Sequence, residues 1–348
     1  MSARARVRRR RVAAGPAAAG MVLAAAFGAA ACGTAGAGSG GGDAGGHRVR
    51  VVTTVAPLTS IAAAVAGDRA DVQGIVPEGV NSHTWEPSPG VARDLTGADL
   101  VILNGLGLEE PARRLAEQVR GPGAELVELG PATLDRTGWI YDDAFPREGG
   151  KPNPHLWTAP RLARRYGELV RDALMRRDPA GAETYRRNAD GFLAAVDRLD
   201  AAVRTAVATI PPDRRRLLTY HDAYAYVGAD YGIDVVGALQ MADMAEPTAR
   251  EVAGLVEQVR VTGVPAIFGS EVFPSPVLAQ IGRETGVRYV DVLRDDDLPG
   301  APGEPEHSLL GLLRFDFATI TEALGGDPSA LRELDVAVPA PDRATYPQ

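Results

Sequence analysis

The chain has 348 residues, 45% hydrophobic and 5% aromatic, with 40 glycines and 26 prolines, enough apolar surface for one large or two ordinary domains and a turn-rich composition that suits an α/β protein. Six of its 37 basic residues are arginines within 1–31, where there is no acid, so the rest of the chain carries 31 basic against 45 acidic side chains, a net charge of −14. That balance excludes a nucleic-acid partner, which needs basic surface, and suits a cationic ligand.

The first predicted element is an export signal over 1–31. "RARVRRRRV" is its basic region and "AAAGMVLAAAFGAAA" its apolar stretch of 15 residues, too short and too rich in Ala and Gly for a spanning helix. The single cysteine, Cys32, follows at once, where a lipoprotein signal carries the residue that becomes lipidated. Ordinary cleavage after Ala31 fits the same small residues, and an uncleaved anchor is the third reading. One cysteine cannot form an internal disulfide, and lipidation would remove an exposed free thiol. Residues 32–46, which include "GTAGAGSGGGDAGG", read as a flexible tether with a reach of roughly 20 Å.

The body then alternates strand and helix. "VRVVTTVAP", "VQGIVPEG", "DLVILNG" and "AELVELG" read as strands, with "LTSIAAAVAG", "PSPGVARDLTGA" and "EEPARRLAEQVRG" as the helices between them. This order predicts a parallel sheet covered by helices. A long loop runs from Pro131 to Pro160, followed by a helix ending at Pro179. Apolar residues then recur at helical spacing (Phe192, Val196, Leu199, Val203, Val207), predicting one helix of roughly 42 Å. The alternation restarts at "RRLLTYHDAYAYVGADYG" and closes with the amphipathic "EHSLLGLLRFDFATITEALG". The predicted architecture is therefore α/β, with two similar lobes, each a parallel-type sheet covered by helices, joined by one long helix. The lobes are placed at 47–180 and 211–326, the linking helix at 181–210. A Pro-containing tail, 327–348, is expected to lie over the surface or to be disordered.

The chain has five histidines. His47 ends the tether, while His83, His155 and His221 each sit where a strand or Pro-rich loop gives way to a helix. Such strand-end loops are where α/β sheets bind ligands. A lone loop histidine is usually a hydrogen-bonding turn residue, but three in equivalent settings point to a metal, since neutral imidazole is its commonest ligand. With no usable thiol, the fourth ligand is expected to be a carboxylate. Asp291 in "YVDVL" is the first choice, with Asp295, Asp296 and Asp297 as rivals in a run read as a solvated loop. Three imidazoles and one carboxylate suit Zn²⁺.

"HTWEPSP", "NPHLW", "TYHDAYAYVGADYG", "EPTARE" and "VDVL" occur in this order. Together they resemble the zinc- and manganese-binding solute-binding lipoproteins of bacterial ABC importers, the class with a rigid helix between its lobes. The resemblance covers 48 to about 325. It implies that His83, His155, His221 and Asp291 hold the metal, with histidine in the third position favouring Zn²⁺ over Mn²⁺. It also implies an ABC transporter permease as partner, anchoring to the outer face of the cytoplasmic membrane through Cys32, a monomer, and no catalysis. The alternatives are the same scaffold loaded with Mn²⁺ or Fe²⁺, and a secreted zinc-dependent hydrolase. Glu86 and Glu271 are candidates to orient the imidazoles. Trp85 and Trp157 are expected to pack loops, Asp222 to cap a helix, and His307 to be a helix-terminus residue. The His-rich acidic loop of many zinc members has no counterpart in "GWIYDDAFPREGGKPN".

Overall fold

The computed structural model describes residues 48–142, 144–238, 248–270 and 276–348. The predicted signal, Cys32 and the tether therefore lie outside the described residues, as does Glu271. The first sheet is built from β1 (Val49–Thr53), β2 (Ala70–Gly74), β3 (Leu100–Leu103) and β4 (Glu125–Glu128). The helices α1 (Ala56–Ala66), α2 (Pro89–Thr96), α3 (Glu110–Val119) and α4 (Leu129–Thr133) connect and follow them. Two helices come next, α5 (Pro160–Arg177) and α6 (Ala182–Ala208). The second sheet comprises β5 (Arg216–Thr219), β6 (Asp234–Ala238), β7 (Ala266–Ser270) and β8 (Arg288–Leu293). Its helices are α7 (Ala225–Tyr231), α8 (Ala249–Thr262) and α9 (Pro276–Thr285), followed by α10 (Leu309–Ala323) and α11 (Ser329–Arg332).

Both sheets are wholly parallel, and their strand orders, β2-β1-β3-β4 and β6-β5-β7-β8, are the same pattern used twice. Parallel strands covered on both faces need continuous apolar runs, and β3, "LVIL", is buried at all four positions. The order reverses beside the first strand of each lobe, which opens a crevice at the carboxyl ends of the strands.

The linking helix α6 has 27 residues, about 40 Å at 1.5 Å per residue. All five residues that predicted its apolar stripe are buried. It packs on α1 and α5 of the first lobe and on α10 and α11 of the second. One hydrophobic core consequently runs through both lobes, with a smaller one (Leu218, Val259, Ile267, Ile281 and neighbours) on the far side of the second sheet. Lobes that share a core cannot swing apart without exposing it.

Two glycines set these helix contacts. Gly67 ends α1 at φ 58°, and Asn188 of α6 donates to the Val65 carbonyl beside it at 3.1 Å. Gly167 lets α5 and α6 touch, since a β-carbon there would lie 2.7 Å from Phe192 Cε1. Gly167→Ala should destabilise the protein by about 1–2 kcal/mol despite a helix-propensity gain of about 1 kcal/mol, because the buried Phe192 ring has nowhere to go. Urea unfolding would check this; an unchanged midpoint would refute it.

Of the two outcomes expected for the tail, the structure shows the first: it lies over the body. Val336, Ala340 and Tyr346 are buried, and Thr345 bridges to Gln73 on the free edge of β2. Its prolines limit backbone donors but leave Thr345 able to pair, so this segment forms a strap on the first lobe.

Candidate metal centre

His83 follows β2 in a turn that its own sequence supports. Asn81 Oδ1 accepts from the His83 amide at 2.9 Å, an Asx turn, and Pro87 and Pro89 lead into α2. Ser82 donates to Asp296, and the Gly79 amide to Asp297 at 2.8 Å.

His155 is fully buried at the end of the long loop. Asn153 Nδ2 donates to the Asp222 carbonyl at 2.9 Å and to Asp142 at 3.0 Å, which turns its Oδ1 toward His155. That oxygen accepts from the His155 amide at 3.1 Å and pairs with Nδ1 at 3.0 Å. An amide oxygen only accepts, so Nδ1 carries the proton and Nε2 presents its lone pair. Beneath the loop, Asn104 Nδ2 holds the Pro154 carbonyl at 2.9 Å and its Oδ1 accepts from Tyr166 at 2.6 Å. The turn carrying Asn104 is held by Glu109, which accepts from the amides of Asn104 and Gly105 and from Thr54. Burial pushes Glu109 up to about 7.

His221 stands two residues beyond β5, with its carbonyl accepting from Thr219 Oγ1 at 2.7 Å. Its Nδ1 pairs with Asp295, a carboxylate 2% exposed that also lies 3.4 Å from Ser270 Oγ. Trp157, wholly buried, donates to the Asp295 carbonyl at 2.9 Å and so joins the His155 loop to this one.

The ligand atoms of His83, His155 and His221 all lie within 4.8 Å of one another. His83 Nε2 and His155 Nε2 are 3.2 Å apart. Two imidazoles on one tetrahedral ion bonded at about 2.0–2.1 Å would sit about 3.3 Å apart. Burial holds the His83 imidazole down at about 4. His155 is pushed well below the usual range by burial, then by His221 and His83, and His221 by burial, then by His83. The group is thus three neutral imidazoles with a carboxylate alongside, a donor set that can take a divalent cation.

Asp291 is not part of this group. It lies exposed in β8, and the carboxylate that stands beside the histidines, against His221 Nδ1, is Asp295. The reason is a register shift: Phe268 pairs with Val290 but Ser270 with Leu293, so β8 carries one extra residue and turns Asp291 and Val292 outward. The run read as solvated is buried at all three positions, because each carboxylate has a partner: His221, Ser82 or the Gly79 amide. Burial raises Asp296 to about 6. Glu86 is exposed; the ring partner of His155 is Asn153 instead. Asp222 makes no side-chain cap on α7, and its carbonyl receives Asn153. His307 is buried before α10, packed on Tyr346 and apart from the three histidines.

Two α/β lobes fused by a helix, with imidazoles from both converging at the carboxyl ends of the strands, define a two-lobed metal-binding protein. Residues 51–323 match the family model of the zinc-uptake complex component A, periplasmic (ZnuA), and the chain belongs to that family. It is 31% identical over 278 residues to the iron-binding protein YfeA of Yersinia pestis, covering 80% of this chain and 87% of that one. It is 29% identical over 280 residues to the manganese-binding lipoprotein MntA of Halalkalibacterium halodurans (80% and 89%). The periplasmic zinc-binding protein TroA from Treponema pallidum superposes with a TM-score of 0.72 at 25% identity, over 80% of this chain and 99% of that one. The protein is accordingly the metal-binding, extracytoplasmic substrate-binding component of an ABC importer, in a family of transport proteins rather than enzymes. That sets aside the hydrolase alternative. Among the described residues no helix is long and apolar enough to cross a membrane.

Proposed function

We propose that the protein captures Zn²⁺ between its lobes through His83, His155, His221 and Asp295 and delivers it to its membrane permease. The observation that carries this reading is the convergence of three imidazole ligand atoms within 4.8 Å. Three nitrogens and one oxygen suit tetrahedral Zn²⁺, whereas Mn²⁺ prefers more oxygen. Mn²⁺ or Fe²⁺ as cargo is the second reading, favoured by relatives named for manganese and for iron. We further read the chain as a monomer held at the outer face of the cytoplasmic membrane by lipidated Cys32.

Elemental analysis and competition titration of tag-free, metal-stripped protein test the metal. One Zn²⁺ per chain, held more tightly than Mn²⁺ or Fe²⁺, is expected, and His155→Ala should lose it. A clear preference for Mn²⁺ would overturn the zinc assignment.

A further inference from the structure

Two cleft loops hold each other reciprocally. Glu78 Oε1 accepts from the Leu298 amide at 3.0 Å, and Asp297 Oδ2 accepts from the Gly79 amide at 2.8 Å. Each side chain thus binds the backbone next to the other. The loop of Glu78 and Gly79 leads into His83, and that of Asp297 and Leu298 follows Asp295. Glu78 is in turn held by residues 345–348. Thr345 N donates to the Val72 carbonyl at 3.0 Å and the Gly74 amide to Thr345 O at 2.9 Å, the Glu78 amide reaches Pro347 O at 3.2 Å, and Gln348 Nε2 donates to Glu78 Oε2 at 3.0 Å. Buried His307 lies 3.7 Å from the same oxygen, with Tyr346 packed across its ring.

We propose that Glu78 and Asp297, braced by the C-terminal strap, are positioning residues that set how fast the bound ion leaves. The physical reason is a matter of which lobe owns which ligand. His83 belongs to the first lobe and His221 and Asp295 to the second, so an ion bound to all of them escapes when the two loops part. Two charge-assisted hydrogen bonds cross that parting line beside the ligands. They add nothing to the encounter of a hydrated ion with the cleft, so their loss raises the dissociation rate and leaves association unchanged. The strap couples residues 345–348 to the same event, because it fixes both the backbone and the carboxylate of Glu78. This inference rests on the zinc reading above.

The test is zinc release from the loaded full-length protein into excess chelator, followed by stopped flow, together with amide hydrogen exchange of the metal-free protein. Glu78→Ala should release zinc about tenfold faster with one ion still bound per chain. Glu78→Gln, which keeps an oxygen for Leu298, should recover part of the loss. Deleting 346–348 should act in the same direction and less than additively with Glu78→Ala, as expected of parts of one device. Exchange at Leu298 should quicken in Glu78→Ala, a readout independent of metal and of any general loss of stability if β1 and β3 amides stay protected. Release rates within twofold of wild type in both Glu78→Ala and the truncation would overturn the proposal. Wild-type protein that takes up no zinc, with Leu298 exchange still responding to Glu78→Ala, would overturn the zinc reading instead.

Discussion

Asp295→Ala should weaken zinc binding by about a hundredfold or more, while Asp291→Ala leaves it within about twofold. A site of this kind binds with about 10–16 kcal/mol shared among four ligands, so one ligand is worth about 3 kcal/mol, or two orders of magnitude. Asp295 is buried against His221 and Asp291 is exposed on an edge strand, so only the first lies beside the cluster as the chain is folded. Titration calorimetry on the two variants checks this directly. Equal losses, or a larger loss at Asp291, would mean that the loop after β8 rearranges when metal arrives and that the carboxylate has been misassigned.

That pair of residues also marks how far the sequence could be read. The strands, the long helix and the two-lobed plan were legible because apolar periodicity survives whatever the neighbours do: Phe192, Val196, Leu199, Val203 and Val207 are buried as their spacing requires. The three histidines were legible because each closes a strand-end loop in a chain with few of them. The carboxylate that ends up beside His221 was not, since one extra residue in β8 moves a strand end without leaving a mark in composition. Charge runs are usually solvated, and "DDD" departs from that habit only because Ser82, the Gly79 amide and His221 arrive from remote parts of the chain to receive it. Asn153 sat in plain view two residues before His155, yet its effect on the ring appears only once Asp222 and Asp142 orient its amide. The strap was hidden for a related reason: Thr345 has no local pattern, and its partner strand lies about 270 residues earlier.

Zinc affinity should stay level from pH 7 to about 5 and collapse toward pH 4. An unperturbed imidazole titrates near 6.5, which would start the loss at about pH 6. In the folded protein, burial holds His83 down at about 4, and His155 and His221 are pushed well below the usual range by burial and by one another. At pH 5 all three therefore present neutral nitrogens to the ion, and protons compete only below that. The metal-free protein follows a different course. A histidine with a depressed folded pKa contributes stability that is complete above about 6.5 and is lost as pH falls toward the folded value, because the unfolded chain takes up protons that the folded one refuses. Each histidine costs about 1.4 kcal/mol per pH unit across that window. Glu109, raised to about 7, and Asp296, raised to about 6, act with the opposite sign, since the folded state holds their protons more tightly as pH falls. These gains offset part of the histidine losses, so the apo protein should soften gently between about pH 6.5 and 4.5 while its zinc affinity hardly changes. Equilibrium dialysis with elemental analysis across pH 7 to 4, set beside thermal melts of the stripped protein, separates the two curves. A tenfold loss of affinity already present at pH 6 would show that the imidazoles titrate as exposed groups do and that the cluster is open to water before metal binds.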